Sequence, residues 1–138
     1  MTKSLAEKAR TLSIEDKVER EKQNKLMRVV FDMGDKLATD IEYNRVVNWI
    51  NRCAKSKRTH CIYDIFISIV EEHDEELSSM LASYSSNDEL NNPLDKNALY
   101  LWICYQIAFI FAEKLRKEGF VVHLDDKESD RVIILVWW

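Results

Sequence analysis

Residues 98–112, ALYLWICYQIAFIFA, carry a single amide or charged side chain, Gln106, and run through Glu113-Lys-Leu-Arg-Lys-Glu-Gly119 into the ending 120–138, FVVHLDDKESDRVIILVWW. A run this apolar is too hydrophobic for one amphipathic face, so it predicts a helix covered nearly all round. The ending supplies a covering layer: Phe120 to Leu124 and Arg131 to Trp138 are rich in strand formers and are separated by the acidic turn Asp125-Asp-Lys-Glu-Ser-Asp130. In the last segment both alternating sets, Val132, Ile134, Val136, Trp138 and Ile133, Leu135, Trp137, are apolar. Such a strand belongs in the interior of a sheet with both faces covered, or at an interface with another chain.

Working outward, Asp95 is placed to cap the apolar helix and Gly119 suits the left-handed position that ends one. Pro93 and the polar stretch Ser85-Ser-Asn-Asp88 mark a loop before it. Upstream, Asp64 reads as the cap of a helix whose stripe is Ile65, Phe66, Ile69, Val70, His73, Leu77, Met80, Leu81 and Tyr84. His60-Cys-Ile-Tyr63 reads as a short edge strand, preceded by the polar connection Lys55-Ser-Lys-Arg-Thr59. Asp40 is placed to cap a further helix with Tyr43, Val46, Val47, Ile50, Cys53 and Ala54 at helical spacing, and Gly34 is expected to interrupt the helix before it.

The first segment, Ser4 to about Met33, has good helix formers but a broken apolar stripe. Leu5, Ala9 and Leu12 share a face, and charges then dominate until Leu26. Residues 1–25 therefore read as a helical arm, mobile or packed on a partner, because a short helix with so little apolar surface gains little from folding alone. The expected fold is α+β: one domain over 1–138, with about four helices packed on a small, mostly antiparallel sheet of two to three strands. It includes a C-terminal β-hairpin whose last strand lies toward the middle.

Composition sets limits on function. The chain has 138 residues, a net charge of -4, 46% hydrophobic and 32% charged residues. That balance does not suit a nucleic-acid binder held by an overall positive field. Cys53, Cys61 and Cys104 form no C-x-x-C pair and no even set, so a reducing cytoplasmic setting is expected. The apolar run falls short of the roughly 20 residues of a membrane span, and the N-terminus lacks the apolar stretch of a secretory signal.

The chemistry-bearing motifs are sparse. With only Gly34 and Gly119 available, no phosphate-cradling glycine loop can form. His73 lies among Glu71-Glu-His-Asp-Glu-Glu76 and shares a helix face with Glu76, but two ligands do not make a zinc site, and its place on the apolar stripe reads as a structural histidine. The turn at 125–130 offers four carboxylates without the alternating order of a calcium loop. Cys53, Cys61 and His60 could approach one another, yet nothing specifies a base and an orienting third group for a nucleophile. No catalytic residue, metal ligand or cofactor is assigned from the sequence.

Two features point instead to binding. Arg45, Arg52, Lys55, Lys57 and Arg58 form the one basic cluster, able to receive phosphates or an acidic partner surface. Leu5, Leu12, Trp137 and Trp138 are the interface candidates, since two terminal tryptophans on opposite faces of one strand do not both fit a small core.

The order of segments resembles small proteins encoded by tailed phages of Gram-positive hosts. The resemblance is carried by Leu5-Ala-Glu-Lys-Ala-Arg10, by Arg58-Thr-His-Cys-Ile-Tyr-Asp64, and by Ile107 through Gly119-Phe-Val-Val122 before a terminal hairpin. It implies a virion accessory protein or a binder of host factors, in the host cytoplasm or the virion, and carries over no functional residue. The leading expectation is a non-enzymatic interaction or assembly protein with a protein partner, itself or another, and no membrane. A nucleic-acid binder using the basic cluster is the second reading, and an enzyme or ligand binder with an unfamiliar site near Cys53, Cys61 and His60 is the third.

Overall fold

The structure is a computed structural model and describes residues 25–84 and 96–138. A helix over 25–37 (α1) is followed by α2 (Asp40–Lys55), β1 (His60–Phe66), α3 (Ser68–Glu71), α4 (Asp74–Tyr84), α5 (Lys96–Lys117), β2 (Val121–Asp125) and β3 (Arg131–Trp137). The three strands form one antiparallel sheet in the order β1-β3-β2. The fold is α+β, and the C-terminal strand is central, as its doubly apolar pattern requires.

Helix α5 is the spine of the core. Leu99, Ile103, Cys104, Ile107, Ala108, Phe111, Ala112 and Leu115 are buried along it. They join the inward row of the sheet, Cys61, Ile65, Val122, Val132, Ile134 and Val136, and the buried face of α2, Val46, Ile50 and Cys53. Residue alternation along each strand sends one row to this core and the other away from it. At 22 residues, α5 is long and apolar enough to cross a membrane by length and composition alone. In the fold its buried face is taken up by the sheet and the neighbouring helices, while Trp102, Tyr105 and Phe109 stay exposed.

Both well-defined helix ends follow one device. Gly119 sits at φ 97°, with its N–H bonded to Arg116 O and the Phe120 N–H to Leu115 O. Lys57 occupies the equivalent place after α2 at φ 62°, with its own N–H on Ala54 O and the Arg58 N–H on Cys53 O. These are Schellman turns, one with the favoured glycine and one with a lysine that bears the Cβ penalty.

Four local expectations change. Gly34 does not interrupt α1; it lies buried within it, and the Ala38 N–H bonds to Gly34 O in helical register. Its value is close approach: an added Cβ would lie 2.7 Å from Gln106 Cβ on α5. The lone amide of the apolar run therefore marks where α1 crosses α5. Second, Thr39 rather than Asp40 caps α2, its hydroxyl accepting from the Glu42 N–H at 3.2 Å.

Third, Asp64 does not cap a helix. It lies in β1, which extends through Phe66 because the whole stretch pairs with β3, Asp64 opposite Ile133 and Ile65 opposite Val132. Ile65 and Phe66 continue the strand alternation as well as they begin a helical stripe, and the ladder decides between them. Fourth, the helix that follows is split into α3 and α4 at Glu72 and His73. Five carboxylates in the six residues Glu71 to Glu76 repel one another at helical spacing, which disfavours an unbroken helix there. Asp95, Pro93 and the loop around Ser85 lie outside the described residues, as does nearly all of the 1–25 arm.

Candidate interaction surfaces

The row of the sheet that turns away from α5 carries an apolar strip among His60, His123, Asp64, Asp125 and Arg131, and among the described residues it is only partly covered, Ile133 and Leu135 being half-buried. Reading across the register gives His60, Trp137 and Val121, then Ile62, Leu135 and His123, then Asp64, Ile133 and Asp125, with Phe66 beside Arg131 at the far end. Val121 is 57% exposed, Ile62 53%, Phe66 45% and Trp137 37%. Among the described residues the central strand therefore has only one of its two expected covers. The rim of this face is ordered by contacts: Trp137 meets His123 edge-on at 5.4 Å, and Arg131 lies over the Phe66 ring at 5.3 Å and 3.6 Å from an Asp64 carboxylate oxygen.

The two interface tryptophans separate as the strand period dictates. Trp137 belongs to the uncovered face, whereas Trp138 stands edge-on to Phe120 at 6.4 Å and fixes its backbone N–H on Thr59 O. Leu5 and Leu12 lie outside the described residues. Ile62, Phe66 and Val121, which complete the face, were not singled out from sequence. Their signal is the alternation of β1 and β2 once β3 is known to be central.

A second surface lies on α2. Arg45, Trp49 and Arg52 fall at i, i+4 and i+7, and with Asn48, Asn51, Lys55 and Tyr63 of β1 they line an open groove of about 560 Å³. The Trp49 indole N–H donates to Ile62 O at 2.8 Å, which both fixes the ring and satisfies a carbonyl of the edge strand β1. Arg45 is paired with Glu42 at 3.1 Å. Arg52, Lys55, Lys57 and Arg58 have no ion-pair partner among the described residues. Burial, together with Glu42, raises the Tyr63 phenol above its ordinary range, with Arg45 opposing, so the ring carries a proton at neutral pH. Three members of the basic cluster, Arg45, Arg52 and Lys55, thus share a groove, while Lys57 and Arg58 sit in the exposed turn beyond it. Trp49 and Tyr63 were missed because Trp49 reads as one more helical residue until the arginines four before and three after it are placed on the same face.

A third patch forms where, among the described residues, α5 is not covered all round. Trp102, Tyr105 and Phe109 of α5 and Met27 and Phe31 of α1 line a cleft of about 600 Å³, together with Asp126.

The thiol constellation comes together only in part. Cys53 and Cys61 lie against each other in the core, and burial followed by the neighbouring Cys53 pushes the Cys61 thiol up to about 11. Burial pushes Cys104 to about 12 while its S–H points to Phe66 O at 3.6 Å. His60 turns to the opposite face of the strand, so no imidazole reaches either member of the pair. His73 lies 3.6 Å from Glu76, which also pairs with Lys36. Among the described residues no three His, Cys, Asp or Glu side chains converge on a point suited to a metal ion.

No family model, curated protein or solved structure matches the chain.

Proposed function

We propose that this chain is a non-enzymatic interaction and assembly protein whose partner contact runs through the uncovered face of the sheet, with a second copy of the chain as its occupant. The observation that carries the reading is the apolar outward row of β3 and its neighbours. Ile62, Phe66, Val121 and Trp137 alone leave roughly 400 Å² bare, the size of the largest apolar patch on an ordinary monomer, which is often a functional one. Two such faces pressed together bury about 800 Å², below the standard interface, so a reversible dimer is expected rather than an obligate one.

The polar groups on the face favour self-pairing. Along the strands His60 stands at the first level, His123 at the second, Asp64 and Asp125 at the third, and Arg131 beside Phe66 at the fourth. A twofold axis across the strands reverses these levels, setting His123 of one protomer opposite the carboxylates of its partner, and His60 with Trp137 near the level of Phe66 and Arg131. Two sheets packed in this way stand about 10 Å apart with their side chains interdigitated. The resemblance in segment order to small tailed-phage proteins supports an assembly role of this kind, in a virion or against a host protein.

Sedimentation velocity over about 1–100 µM tests the proposal at concentrations where weak specific dimers form. The expected mass rises from 16.3 kDa toward twice that value, and Ile62→Glu, at an exposed position, holds it at 16.3 kDa with an unchanged thermal melt. A wild-type chain that stays monomeric throughout, or an Ile62→Glu variant that still dimerises, refutes the sheet face as the contact.

A further inference from the structure

From the α2 groove we infer a second binding site, independent of the sheet face, that takes single-stranded nucleic acid: a base stacked on Trp49 and the flanking phosphates on Arg45, Arg52 and Lys55. The overall charge of -4 opposes any general attraction to polyanions, so the site must act through local geometry. That geometry is present. Arg45 and Arg52 lie one turn before and one turn after Trp49 on the same helix face, and Lys55 extends the line by a further turn.

An aromatic ring between two guanidinium groups is the arrangement that single-strand binders use, the ring accepting any base and the cations tracking the backbone. The Trp49 ring is pre-set for this, since its N–H is held at 2.8 Å by Ile62 O and 39% of the residue remains exposed. A ring already ordered loses little freedom when a base stacks on it. Asn48, Asn51 and the protonated Tyr63 hydroxyl line the same groove and offer paired donors and acceptors to base edges. The absence of ion-pair partners for Arg52 and Lys55 among the described residues means that phosphate contact breaks no internal pair; only the exposed Arg45 would exchange its half-buried partner Glu42. An acidic protein segment would engage the same cations but would have no use for the fixed ring.

Fluorescence anisotropy of the full chain with a labelled oligothymidine of about fifteen nucleotides, at least one single-strand site long, provides the test. With three phosphates neutralised, affinity should fall about 20-fold between 50 and 200 mM salt. Trp49→Leu should lower affinity by about 10-fold or more through lost stacking, and Trp49→Phe, which keeps a ring, should remain within about 3-fold of wild type. Arg52→Gln with Lys55→Gln should flatten the salt slope by about 1.4, and both residues are exposed, so the melt should not move. Thermal melts of the Trp49 variants separate a folding defect from lost stacking. Polyglutamate or heparin competing as well as the oligonucleotide, together with Trp49→Leu binding like wild type, would assign the groove to an acidic partner and overturn the inference. A duplex binding as tightly as the single strand, or no binding at about 50 mM salt, overturns it as well. None of these results depends on whether the sheet face dimerises.

Discussion

Replacing Gly34 by alanine separates two accounts of the same residue. A glycine that merely weakens a helix would be improved by alanine, by about 1 kcal/mol in a helix interior. In the structure, the added Cβ would lie 2.7 Å from Gln106 Cβ, and nearer still to Gln106 Cγ, a separation that real Cβ atoms essentially never show. The Cγ can swing aside, but the Cβ is fixed to the backbone of α5, so relief requires the two helices to part. Both helices are anchored by buried side chains on either side of the contact, Met33 and Leu37 on α1, Ile103 and Ile107 on α5. Overpacking of this kind costs about 1–3 kcal/mol. The overlap should exceed the propensity gain, leaving a net loss of about 1–2 kcal/mol and a melting temperature lower by about 4 °C per kcal/mol for a chain of this size. Urea denaturation should show a lower midpoint at unchanged slope. Adding Gln106→Ala should recover part of the loss and no more, because the Cβ contact survives. A Gly34→Ala protein that melts above wild type would show that α1 and α5 do not approach at this point.

Two further perturbations address other features. Lys57→Gly removes the Cβ penalty at φ 62° in the Schellman turn after α2 and should raise stability by about 1 kcal/mol, read as a higher urea midpoint; a lower midpoint would mean the lysine side chain contributes more than its backbone costs. Cys61 at about 11, Cys104 at about 12 and Tyr100, pushed to about 12 chiefly by its 2.7 Å hydrogen bond to Asp74, are all raised in the folded state. Their contribution is therefore complete below the unfolded values near 9 and 10 and is lost as pH climbs through 11 and 12. A melt-versus-pH series should decline on the alkaline side, and Ellman's reagent at about pH 8 should find no fast thiol until denaturant exposes them; prompt native reaction would contradict the burial.

How much of this was legible in advance depends on whether the determining interactions are local. Gly119 ending α5, the strand character of 120–124 and 131–137, and the central place of β3 all follow from residue type and period, and the structure has each of them. The end of β1 and the role of Gly34 were misread because each turns on a partner distant in sequence, β3 for the first and Gln106 for the second. The same holds for the surfaces. The sequence gathered Arg45, Arg52 and Lys55 into one cluster, while Trp49 gained meaning only when the edge strand supplied the carbonyl that holds its ring.

By itself, then, the sequence determined the α+β class, the apolar spine and the two-sided apolar character of the last strand, because composition and period act within a few residues of chain. Only the tertiary structure decided which row of that strand is buried under α5 and which stands open, which cations share a groove with an aromatic ring, and that the two buried thiols lie together on the face away from His60. The physical reason is that strand register and helix crossing are set by contacts between residues tens of positions apart. A one-residue change in register would exchange the two faces of every strand.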